Sequence, residues 1–148
     1  MNKPVIFVWP GDLHLESSDR PNYTTGLWMA DEVNELIKPD FVQFAGDNVQ
    51  HARDGEFALF KDVWSKLKMP FHALVGDHDA HHDPAAAAHQ ARFGPTYFAF
   101  TVGGYRFICL NTMQFKPLGM SEAQVIWFRY ETDAAIARGE KVVVFQHH

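Results

Sequence analysis

The sequence predicts an α/β fold with parallel central strands, and three features carry that prediction. Four apolar runs, VIFVW at 5–9, FVQFA at 41–45, FHALV at 71–75 and KVVVF at 141–145, are rich in β-branched and aromatic residues. They are too continuous for half-exposed strands and read as strands covered on both faces. Helical periodicity fills the gaps between the first three. Each run also discharges Asp or His from its carboxyl end, in PGDLH, GDN, GDHD and QHH.

Along the chain, Leu27, Ala30, Val33, Leu36 and Ile37 recur at helical spacing after the first run, and Pro39 ends that helix. Phe57, Phe60, Val63, Trp64 and Leu67 form a second stripe behind Asp54, a predicted N-cap. DPAAAAHQARF at 83–93 predicts a short helix with Asp83 as N-cap and Pro84 in its first position. TYFAFTV and YRFICLN flank Gly103-Gly104 and predict a hairpin. Ser121 and Gln124 make a capping box. Ala123, Ile126, Trp127, Tyr130, Ala134 and Ala137 define the inward face of the helix it opens, and Gly139 stops it. Trp28, Trp64 and Trp127 lie on helical apolar faces and read as core, with Trp9 also structural. No repeat, low-complexity tract or linker divides residues 1–148, which read as one domain.

Size and composition bound the function. A chain of 148 residues with 47% hydrophobic and 21% charged residues has the profile of a globular domain. Thirteen basic against eighteen acidic side chains give a net charge of −5 and no basic patch, which argues against general nucleic-acid or anionic-membrane binding. The one cysteine, Cys109, sits in an apolar run and reads as a buried, inert thiol. VIFVW is too short for a signal-peptide core and no stretch is long enough to span a bilayer, so the expected location is the cytoplasm.

Strand tips separated by about 30 residues suit βαβ crossovers, which set strands parallel and bring their carboxyl ends together. Ligands of open α/β sheets bind beyond those ends. Carboxylates gathered there repel one another, and a multivalent cation neutralises them. Mixed carboxylate and imidazole donors suit Zn, Mn, Fe or Co better than Ca or Mg. Glycines 11, 46 and 76 each precede an Asp and free the backbone to turn that carboxylate inward.

The blocks Asp12-Leu13-His14, Gly46-Asp47, Gly76-Asp77-His78-Asp79 and VVVFQHH resemble, in order, the D-x-H, G-D, G-N-H-[DE] and strand-His blocks of the calcineurin-like metallophosphoesterases. KPDFVQFAGD, FGPTYFAFTVGGYRFICLNT and SEAQVIWF resemble the branch similar to cyclic-nucleotide phosphodiesterases and purple acid phosphatases. The resemblance implies a four-layer α/β/β/α sandwich with two mixed sheets. It also implies two divalent or mixed-valence ions (Mn, Fe, Zn or Co) and hydrolysis of a small-molecule phosphodiester or phosphomonoester by a metal-activated, bridging hydroxide. Asp12 and His14 would hold one ion, Asp47 would bridge, and Asp77 and His147 would serve the second. His78 would act on the leaving group or phosphoryl oxygens, with Asp79 orienting it.

Two departures follow. Asp77 stands where the family places Asn; by formal count it takes a site of about +1 to about zero, which predicts firmer metal retention and weaker attraction for phosphate dianions. The family's later G-H-x-H block, one histidine for each ion, has no match in this sequence, so the expectation is the N-terminal and central part of the domain. A metallophosphoesterase fold kept as a noncatalytic scaffold for a protein partner is the alternative reading, and a single structural ion is a third. His81, His82 and His89 read as surface residues, and His72 as packed and hydrogen-bonded within its strand. His51 reads equally as a substrate neighbour or a solvated loop residue, and His148 as a neighbour of the His147 ligand.

Overall fold

A computed structural model describes residues 4–81, 83, 85–115 and 119–148. Its elements in chain order are β1 (Phe7–Val8), α1 (Pro21–Glu32), β2 (Phe41–Phe44), α2 (Asp54–Trp64), β3 (Phe71–Ala73), α3 (Ala87–Phe93), β4 (Phe98–Val102), β5 (Tyr105–Cys109), α4 (Glu122–Ala137) and β6 (Lys141–Phe145). A π-helical turn, Val33–Ile37, continues α1. Two three-stranded sheets form, β1-β2-β3 and β4-β5-β6. The first is parallel throughout; the second is mixed, antiparallel between β4 and β5 and parallel between β5 and β6.

Alternation along β2 explains the layering. Val42 and Phe44 point into one core with Val33, Phe57, Phe60 and Val63 from the helices. Phe41 joins Leu74, Phe107, Cys109 and Phe145 in a second core between the sheets. Aromatic packing dominates there, with Phe41 5.1 Å from Phe100 and 4.9 Å from Phe107 between ring centroids. Buried Cys109 donates its S–H to Gln43 Oε1 at 3.3 Å, and burial pushes the thiol pKa up. Helices α1 and α2 cover the first sheet and α4 the second, completing the α/β/β/α order.

The fourth apolar run therefore lies in the second sheet, apart from the first three. Its pairing with β5 is a long-range choice that local sequence does not encode. Nor are all four runs covered on both faces. Edge strand β1 leaves Ile6 and Phe7 partly exposed and edge strand β6 leaves Val144 so, while central β2 is buried at every residue.

Small residues set the inward line of α1. Gly26 lies against Val63, where an added Cβ would meet Val63 at 3.1 Å, and Ala30 and Val33 continue that line. Trp28 sits on the opposite side, 63% exposed, and is not core. In the π-helical turn Lys38 N–H donates to Val33 O at 2.9 Å, a five-residue closure that turns Leu36 and Ile37 outward.

The N-cap of α2 is Arg53, one residue before the expected Asp54, because Glu56 reaches back to accept the N–H groups of His51 and Arg53. Asp54 pairs instead with Arg92. Helix α3 begins at Ala87, yet Asp83 still accepts from the N–H groups of Ala85 and Ala87; Pro84 and His82 lie outside the described residues. Gly103 and Gly104 make the hairpin turn, both at positive φ.

The inward face of α4 differs from the apolar one expected. Ile126 and Tyr130 are exposed, while Gln124 and Ala135 are buried. Polar partners decide the orientation: Gln124 Oε1 accepts from Asn111 N–H, its Nε2 donates to Asn111 O, and Glu131 pairs with Arg106 at 2.6 Å. Ser121 caps the helix by accepting from Gln124 N–H, while Gln114 supplies the reciprocal acceptor for Ser121 N–H.

Two histidines pack inside the fold, His72 partly buried and His89 fully so. His72 stacks on Phe100 at 3.8 Å, held by stacking, and burial lowers its pKa. His89, expected at the surface, is fully buried against Phe93, with neither ring nitrogen in a well-formed hydrogen bond although the Leu74 backbone is near. Burial lowers its pKa to about 4. Among the described residues no helix is long and apolar enough to cross a membrane.

Because the unfolded chain binds a proton at His89 near its ordinary pKa and the native protein resists it, stability is full above pH 6.5 and drains as pH falls toward 4. The loss is at most on the order of 3 kcal/mol. Urea unfolding of the metal-free protein at stepped pH should show a shallower loss in His89→Leu; an unchanged slope would refute the assignment.

Candidate metal centre

Four loops, following β1, β2, β3 and β6, meet at one end of the sandwich. The first two continue the sheet as a backbone ladder: Ala45 N–H donates to Pro10 O, Asp12 N–H to Gly46 O, His14 N–H to Asp47 O and Leu15 N–H to Asn48 O. Within it Asp12, His14 and Asp47 all have φ near +50°. Each such non-glycine residue costs of order 1 kcal/mol, and such strain persists where surrounding structure enforces it. Asn22 in the first turn of α1 helps, its Nδ2 donating to Leu13 O at 2.7 Å and His14 O at 2.6 Å.

Asp47 is the junction. Buried at 4% exposure, its Oδ1 accepts from His78 N–H at 3.0 Å and lies 3.3 Å from His147 Nε2. Its Oδ2 lies 3.6 Å from His14 Nε2. Burial pulls the Asp47 carboxyl upward, but the His147 contact and the His78 N–H together hold it below the usual carboxylate range. His147 responds in kind: the Asp47 contact raises its imidazole to about 9 against the cost of burial.

The partner set of His147 prepares a ligand. Nδ1–H donates to Ala45 O at 2.9 Å, which crosses from the second sheet to the first and leaves Nε2 as the free nitrogen. That Nε2 is buried without a hydrogen-bond partner, 3.4 Å from Asp77 Oδ1. His14 Nδ1 is also buried without one. Donor atoms of Asp12, Asp47 and His147 fall within 4.8 Å of one another, as do those of His14, Asp47 and His78, and those of Asp77, His147 and His148. These carboxylate and imidazole donors, with an orphaned buried nitrogen among them, fit a metal ion.

Space for this arrangement comes from missing side chains. A Cβ at Gly76 would sit 2.1 Å from Asp47 Oδ1 and 2.4 Å from its N, and one at Gly46 would sit 2.6 Å from His147 Nδ1. Close approach, more than a turn, is what Gly76 supplies.

Among the described residues no hydrogen bond joins the Asp79 carboxylate to the His78 ring expected to be oriented by it. Gly76 turns the loop so that the Asp79 carboxylate points inward, accepting from Gly76 N–H at 2.9 Å, Asn48 N–H at 3.0 Å, Val49 N–H at 3.1 Å and Asn48 Nδ2 at 2.9 Å. It clamps the loop after β3 onto the loop after β2, and burial pushes its carboxyl up to about 7 against the pull of those N–H groups. The orienting contact on His78 comes from Gln50, whose backbone O lies 2.8 Å from His78 Nδ1. Neither Gln50 nor Asn48 was legible as a positioning residue, although both stand within three places of Asp47. His51 lies 3.9 Å from Glu16 and faces His81, outside all three donor groups.

The family model of the calcineurin-like phosphoesterases matches residues 5–148. The chain belongs to that family. A probable glycerophosphodiester phosphodiesterase, GpdQ, of Arcobacter nitrofigilis is 24% identical over 163 aligned positions, which cover 97% of this phosphoesterase chain and 57% of that relative. The chain thus spans little more than half the length of that relative. A dimetal phosphatase from Danio rerio superposes with a TM-score of 0.80 at 11% identity, over 97% of this chain and 69% of the other. A purple acid phosphatase, PPD1, from yellow lupin seeds gives 0.59 at 14% identity, over 85% and 27%. Both solved structures share the phosphoesterase fold.

Gly76→Ala should displace Asp47 and weaken binding of Mn²⁺ or Zn²⁺ at least about 100-fold in calorimetric titration, about 3 kcal/mol. Gly55→Ala, with nothing within 4 Å of the added Cβ, should leave metal binding unchanged and stabilise α2 by up to about 1 kcal/mol. Equal effects of the two would contradict the close-approach role of Gly76.

Proposed function

We propose that this phosphoesterase chain carries the N-terminal and central part of a metal-dependent hydrolase of phosphate esters, with a small-molecule phosphodiester as the favoured substrate. The observation that supports it best is the shared carboxylate of Asp47, in contact with His14 on one oxygen and His147 on the other. In this reading Asp12, His14 and Asp47 hold one ion and Asp47, Asp77 and His147 the second. When bound, the ions supply Lewis-acid activation of a water and neutralise charge on the phosphoryl oxygens.

The chain's own residues do the rest. His78, with Nδ1–H donated to Gln50 O, presents Nε2 to the site and delivers a proton to the departing alkoxide. Asp79 acts one step back as a positioning residue, fixing the two loops that carry Asp47 and His78. Asp77 shares its charge with His147 and His148, which favours the less charged diester over a phosphate dianion. The diester preference also follows the phosphodiesterase name of the Arcobacter relative.

Hydrolysis of a chromogenic phosphodiester in Mn²⁺ tests this reading. Chelation should abolish turnover, and His78→Ala should lower kcat by about 10² to 10⁴ with metal content retained. Stoichiometric metal without any turnover would overturn it. Asp77→Asn should bind inorganic phosphate roughly tenfold more tightly and hold metal roughly tenfold more weakly, about 1.4 kcal/mol each way; no change in either sinks the charge-balance account.

A further inference from the structure

The second ion's donor set, as assigned above, contains Asp47, Asp77 and His147. The geometry points to a fourth member, His148, which neither sequence pattern nor comparison assigns. His148 Nε2 lies 3.2 Å from Asp77 Oδ1. Asp77 Oδ1 in turn lies 3.4 Å from His147 Nε2, and His147 Nε2 lies 3.3 Å from Asp47 Oδ1. Donor atoms at about 2.0–2.1 Å from a tetrahedral ion stand about 3.3–3.4 Å apart, the edge of that tetrahedron. Three of the six separations in this four-member set thus lie close to a tetrahedral edge. Asp77, His147 and His148 also bring their donor atoms within 4.8 Å of one another.

Other features agree. His147 Nε2, buried without a hydrogen-bond partner and close to two carboxylate oxygens, would be a donor to the ion. The His148 ring meets the His147 ring edge-on with centroids 4.4 Å apart, so two consecutive imidazoles turn their Nε2 atoms toward one carboxylate oxygen. His147 is anchored through Nδ1 to Ala45, and His148 meets the group through Asp77 and the neighbouring ring. A set with two neutral imidazoles and two carboxylates favours Zn²⁺ or Co²⁺ over Mg²⁺ at this position.

The inference rests on the two-ion reading but has its own test. Zn²⁺ and Co²⁺ titrations by calorimetry would compare the wild type with His148→Phe, which keeps a ring against His147 and removes the donor nitrogen, and with His147→Ala. Imidazole scattering in X-ray absorption of the Zn²⁺-loaded forms counts histidine ligands directly. His148→Phe should weaken one of two binding events at least tenfold and lower the histidine count by one per pair of ions, with the melting temperature of the metal-free protein unchanged. Tight binding and an unchanged count in His148→Phe, beside lost binding in His147→Ala, would remove His148 from the set and leave the two-ion reading standing. A wild type that binds neither metal overturns both.

Discussion

A carboxylate cannot stay ionised inside a protein unless donors or cations surround it, and Asp47 is buried at the point where both sheets end. Removing such an anion from water costs several kcal/mol before compensation. Here the compensation arrives from three other strand tips: His14, the N–H of His78, and His147. Much of the architecture follows from that meeting. The strand carrying Asp47 has to be central, so that neighbours lie on both sides, and the two sheets have to present their carboxyl ends at one end of the sandwich. Contact with the Asp47 carboxylate raises the His147 imidazole to about 9 in return.

Rigidity around this junction comes from polar residues that never touch the donor atoms of an ion. Asp79 and Asn48 tie the loop after β3 to the loop after β2 through four hydrogen bonds among buried groups, counting Asn48 Nδ2 to Leu74 O, while Gly76 N–H to Asp79 closes the loop after β3 on itself. Asn22 pins the D-x-H loop from α1, and Gln50 fixes the His78 ring. Loops held this firmly keep three donor-bearing residues in left-handed backbone conformations that would otherwise relax. The donor positions are thus organised before any ion arrives, which spares the binding step an ordering cost.

What could be read in advance was whatever depends on residue type next to a strand end. Asp12, His14, Asp47, Asp77 and His147 each follow an apolar run, and parallel connections bring such tips together whatever their exact packing. Features set by distant partners were hidden. Pairing of β6 with β5 joins residues more than thirty apart, and α4 shows apolar side chains on two faces, so only Asn111 and Arg106 reveal that Gln124 and Glu131 turn inward. The partners of Asp79 are equally hidden, because adjacency to His78 in sequence says nothing about a loop that folds the carboxylate back toward Gly76. His89 reads as a surface histidine in an alanine-rich stretch, and its burial depends on where α3 lands.

The hydrogen bond from His147 to Ala45 spans the two sheets, and it gives the aromatic layer between them a second duty. Phe41, Phe107 and Phe145 fix how far one sheet is displaced along the other, so any shear of the sandwich is transmitted as a change in separation between His147 and Asp47. The interior rings thus bear on the spacing of the donors, and a change in their bulk would alter that spacing while every donor residue is kept.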